Sequence, residues 1–293
     1  VRALQYRAKE VDIELPLRDL VEDVGTVNVT ATGDVFMREV SGDMNIGVIE
    51  ASGDVDLRAA VSILDAGNEA NGLPGNPAAD IISNSITLNA VLGSIGAPGD
   101  DLDIDSARFG AGVLTSNSRE NAYIIEVLGD LGIFQVGTGA ERTAFIDSEG
   151  RIYNGNPGGD NVRSGSTRLF AADDIGAPDN PLKTSVGKLE GTSIGGGVWI
   201  VNTGHLTVGG VTDNTDGVTA AGSVEITATS PVTVTETIQA SSIFVTAGDD
   251  TMDGGAGNDT YQFIGTELGQ DRIIEAANVD TDTLDFSQFT AVG

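Results

Sequence analysis

The chain has 293 residues, no cysteine, one histidine, and 44 acidic against 15 basic residues, a formal net charge of −29. That charge repels nucleic-acid phosphates and anionic membrane surfaces, and it suits a protein bathed in divalent cations. Without cysteine there is no disulfide, thiolate metal site or cysteine nucleophile, and one histidine excludes a multi-histidine metal site. No apolar run reaches the roughly 18 residues of a spanning helix, so no membrane insertion is expected.

A hydrophobic share of 40% argues against disorder, while 40 glycines and few aromatics argue against a bulky aromatic core. The first residues, VRALQYRAKEVDIEL, lack the apolar stretch of a signal peptide and do not begin with Met. The sequence therefore reads as a piece of a much longer chain.

Strand signals begin early, with Val11, Ile13, Leu15 and Leu17 alternating with polar residues. From Gly25 onward, short segments such as TVNVTAT, SITLNA and SVEITAT dominate. They are rich in Val, Ile and Thr and bounded by Gly, Asp, Asn or Ser, which predicts an all-β chain.

These segments recur. Ile95-Gly96-Ala97-Pro98 returns as Ile175-Gly176-Ala177-Pro178, and at the same shift Leu102 returns as Leu182. Phe36 to Ile46 aligns with Tyr123 to Ile133 and with Val198 to Val208 on Gly42, Gly129 and Gly204. Gly53-Asp54-Val55-Asp56-Leu57 reappears as Gly222 to Ile226. About two and a half units of roughly 80 residues fill 1–240, each holding several coils of roughly 20 residues, the length class of a β-solenoid. A row of β-sandwich domains is the competing architecture. Equivalent residues such as Leu102 and Leu182 are expected on one wall, about 20 Å apart at about 4.8 Å per rung.

The GDV-x-L, SITL, SIGAP and GDL-x-I phrases resemble the repeats of giant bacterial surface adhesins of the filamentous-haemagglutinin type. That resemblance implies a right-handed parallel β-helix at the cell surface, with a surface receptor, a glycan or self-association into fibrils as partner.

Several constellations carry chemistry only weakly. Alternation puts Asp101, Asp103 and Asp105 on one face, like the acids of calcium-dependent β-helix polysaccharide lyases, but a solvated strand face explains them better. His205 stands where Asp43 and Asp130 stand in the other copies and reads as an exposed corner. Trp199 stands where Met37 and Ile124 stand and reads as core. No nucleophile elbow or phosphate loop is present, so no catalysis is expected.

The tail, 241–293, differs. Gly254 to Gln262 fills every position of G-G-x-G-x-D-x-U-x, and Gly248, Asp250 and Met252 occupy equivalent places one repeat earlier. Looser copies follow at Asp271 and Asp282. Glycines allow tight turns with carbonyls near an ion, and aspartates supply hard oxygen. The segment resembles the RTX (repeats-in-toxin) family of exported calcium-binding proteins. That resemblance implies a β-roll binding Ca2+, with Asp250 paired to Asp271, Asp259 paired to Asp282, and carbonyls near Gly248, Gly255 and Gly257. The whole reads as an extracellular, structural or adhesive bacterial repeat protein. A carbohydrate-active β-helix enzyme and a secretion or folding module of a larger toxin are the alternatives.

Overall fold

The structure, a computed structural model, describes residues 4–7, 13–17, 25–66, 79–213, 217–246, 251–255, 260–265, 272–275 and 281–289. Among them are 28 β-strands and no helix. The strands pair in parallel and skip their chain neighbours: Val27 pairs with Ile46, and Val35, on the intervening strand, pairs with Val55. The chain therefore climbs two ladders alternately, as a parallel β-solenoid. In the middle, Ala122, Ala144, Thr167 and Leu189 stack in register on successive turns. Their numbers set the turn at about 22 residues, within the range of solenoid repeats.

Period-two patterning builds the walls. Val35–Glu39 and Val55–Ala59 bury every second residue, because alternate side chains of a strand point to opposite faces. One inward stack runs Val35, Val55, Ile86, Leu114, Ile133, each at most 1% exposed. Across the core, Val29, Ile49, Ile81 and Ile104 form the facing stack. Each such side chain contributes about 1.5–3 kcal/mol on burial.

Corners use a second device. A side-chain oxygen of one turn accepts the backbone N–H of the next: Asp34 from Asp54 at 2.8 Å, Asp43 from Ser62 at 2.9 Å, Asp174 from Gly197 at 2.9 Å. Asn121 and Asn161 do the same for Thr143 and Lys183. The Asp and Asn residues that punctuate the sequence thus hold successive corners together. Asp54 accepts both the Ser85 N–H and the Asn84 amide. Asp54→Ala should lower stability by about 1–2 kcal/mol, and Asp54→Asn by less, in chemical denaturation.

The repeat maps onto the column in a way the sequence did not suggest. Leu102 stacks with Ile124 and Ile146 on one ladder, whereas Leu182 stacks with Ile200 and Ile226 on the other. Expecting them on one wall was wrong, because the repeat spans a half-integral number of turns, about three and a half. What repeats is a local turn that interrupts whichever wall it meets. Gly96 and Gly176 hold φ of 63° and 71°, and their N–H groups bond to Ile63 and Ile152 of the preceding turn at 2.9 and 2.8 Å.

Trp199 is also corrected. Val198 and Ile200 point inward and Trp199 lies half-buried on the outer face. The corner from Asn202 to Gly204 is one residue shorter than that from Glu39 to Gly42. A one-residue change reverses the face of every side chain in a strand.

Candidate functional site

Two regions concentrate acidic chemistry. The first is the tail, which continues both ladders: Ser242–Thr246 pairs along its length with Ser223–Ala228, and Thr233 pairs with Thr251. Beyond that, Thr251–Gly255 pairs with Arg272–Glu275, and Thr260–Gly265 pairs with Thr283–Phe289. Consecutive strands therefore alternate between ladders, and partners lie two strands apart, as in the rest of the column.

The register is informative. Thr251 pairs with Arg272, so positions 250 and 271 each immediately precede a paired residue. Thr260 pairs with Thr283, and positions 259 and 282 bear the same relation. Asp250, Asp259, Asp271, Gly248 and Gly257 lie outside the described residues. Gly255 ends its strand opposite Glu275, and Asp282 is half-buried just before Thr283.

The second region lies in the first ladder, where Ile81, Ile104 and Glu126 occupy one inward stack. Glu126 is fully buried where its neighbours are isoleucine and serine. Among the described residues, Ser106 alone donates to it: the N–H reaches Oε1 and Oε2 at 3.0 and 3.1 Å, and the hydroxyl reaches Oε2 at 2.6 Å. Burial pushes the Glu126 carboxyl up to about 8, opposed by the Ser106 bonds and reinforced by Asp105 and Asp130.

Asp80, one residue before Ile81, is 1% exposed and is likewise pushed up to about 8 by burial, with Asp65 and Asp103 adding to the effect. Its side chain is hydrogen-bonded to that of Asp65, and its Oδ2 accepts the Asp103 N–H at 2.9 Å.

The run Asp101, Asp103, Asp105 is not a uniform solvated face. Asp101 and Asp103 are half-buried, and Asp105 is fully covered. The Asp105 Oδ2 meets Arg108 Nε at 2.8 Å, while its Oδ1 has no hydrogen-bond partner. Desolvation raises Asp101, with Asp147 adding to the rise and Arg168 opposing it. Nearby, Arg168 Nη2 bonds both oxygens of Asp147 at 2.6 Å and lies over Phe145, which stacks on Tyr123 at 4.8 Å. These outer groups are committed to one another. His205 is exposed, as its corner position suggested. Among the described residues, no three acidic or histidine side chains are placed to hold a metal ion.

Glu126 was missed in the sequence, although a signal existed. Glu39 and Glu126 both stand three residues before a corner glycine, and both are buried, Glu39 capping the Ser41 N–H at 3.0 Å. No family model, curated protein or solved structure matches this chain.

Proposed function

We propose that this chain is an extracellular structural or adhesive repeat protein of a bacterial surface or matrix, with its tail stabilised by calcium. The observation that supports this best is the ladder continuing in register from the repeats into the glycine–aspartate tail. Such a column presents long outer walls to a receptor, a glycan or another copy. Calcium bound in the tail would stiffen the column there. Asp105 is tied to Arg108 and Asp147 to Arg168, and acids engaged in such pairs favour this reading over an enzyme.

The test is to incubate the full chain with acidic polysaccharides in millimolar calcium. The expected result is no new unsaturated or reducing ends, with binding to the polymer or assembly into fibrils visible in electron micrographs. Reproducible release of such ends, lost in Asp103→Ala, would support a lyase instead.

A further inference from the structure

Over three successive turns, the first ladder carries Asp65 and Asp80, then Asp103 and Asp105, then Glu126. Ile81, Ile104 and Glu126 fix their relation, since they stack in register. Asp103 and Asp80 exchange hydrogen bonds: the Asp80 N–H donates to the Asp103 carbonyl at 2.8 Å, and the Asp103 N–H donates to Asp80 Oδ2 at 2.9 Å. All but Asp103 are buried.

The cations nearby serve other acids. Arg108 pairs with Asp105, and Arg151 pairs with Asp130 at 2.7 Å. No basic side chain among the described residues pairs with Glu126 or Asp80. Tyr153 is the remaining titratable group near Glu126, and its hydroxyl donates to the Gly112 carbonyl at 3.2 Å. The carboxyls facing Asp80 are Asp65 and Asp103. An ionised carboxylate in such a place has neither water nor a counter-charge to compensate its burial.

We propose that these three turns form a pH-sensitive joint in the column, held closed by protons on Glu126 and Asp80. The sign follows from linkage. Both groups bind protons more tightly in the closed column than in an opened, hydrated one. The stabilisation is complete below the ordinary carboxylate range, declines as pH rises, and is lost above about 8. A column that stays firm in mildly acidic surroundings would loosen at this joint in alkaline ones, while turns further along keep their order.

Amide hydrogen exchange on the full chain at constant calcium, corrected for the intrinsic effect of pH, reads the joint directly. Between about pH 5 and 8, the opening equilibrium of residues 79–82, 102–106 and 124–127 should rise by up to about tenfold per pH unit for each linked proton, then flatten. Val198–Asn202 and Ser223–Ala228 should show no such slope. Glu126→Gln should flatten the response of 102–106 and 124–127, and Asp80→Asn that of 79–82. The second variant carries the test if the first does not fold. A slope shared by the whole column, or one unchanged in the folded variants, would overturn the proposal.

Discussion

Gly176→Ala should destabilise the column by about 3–5 kcal/mol, among the largest effects of any single methyl group. Two costs combine. At φ of 71° an L-residue pays about 1–2 kcal/mol for the left-handed backbone. The added Cβ would also stand 2.3 Å from the Trp199 carbonyl oxygen and 2.8 Å from the Leu182 nitrogen, both backbone atoms with little room to move. Relieving that clash pulls apart the rung in which the Trp199 N–H donates to Ile175 at 2.8 Å.

Gly96→Ala should behave alike, since its Cβ would meet the Tyr123 carbonyl oxygen at 2.3 Å. Gly99→Ala separates the two costs: its φ is 74°, but nothing lies within 4 Å of the new atom. It should cost about 1–2 kcal/mol, the backbone share alone. Denaturant midpoints of the three variants check this. Equal, small losses would contradict the close stacking of these turns on the next rung.

Those two glycines also show what could be read without coordinates. The recurrence of Ile-Gly-Ala-Pro revealed a repeated element, and alternation at segments such as Val35–Glu39 revealed inward-facing strands. Recurrence and coil length favoured an all-β solenoid over a row of β-sandwich domains. Which wall each copy joins did not follow, because it depends on whether the spacing is a whole or half number of turns. The face of Trp199 was hidden for a related reason: a corner shortened by one residue leaves the motif recognisable and inverts its side chains.

The core's polar members were the least legible. Met37, Leu57 and Leu88 share one inward stack with Ser116, Val136, Val162, Thr184 and Asn202. Asn202 is fully buried because its side chain accepts from the Thr184 hydroxyl at 2.8 Å and the Val186 N–H at 3.0 Å. Such partners come from a neighbouring turn, far along the chain, and no local pattern announces them. Glu126 and Asp80 were obscured in the same way, since a carboxyl before a corner looks solvated in sequence. In the tail, Thr251 pairs with Arg272 and Thr260 with Thr283, so its strands alternate between ladders like those before it.

The proposed function makes order in the tail depend on calcium. Without metal, the many aspartates of this segment repel one another. With metal, binding free energy becomes folding free energy, worth about 2.7 kcal/mol at a hundredfold excess over the dissociation constant. Extracellular calcium modules typically bind at about 10⁻⁴–10⁻³ M, so order should appear in that range. Magnesium, which demands tighter octahedral geometry and dehydrates reluctantly, should not substitute. The most direct measurement is amide exchange of Thr251–Gly255 and Thr260–Gly265 in the full chain, titrated with calcium against magnesium and chelator. Protection should rise with calcium alone and should need more calcium in Asp259→Ala. Equal protection in chelator and calcium, or an unshifted midpoint in Asp259→Ala, would contradict it.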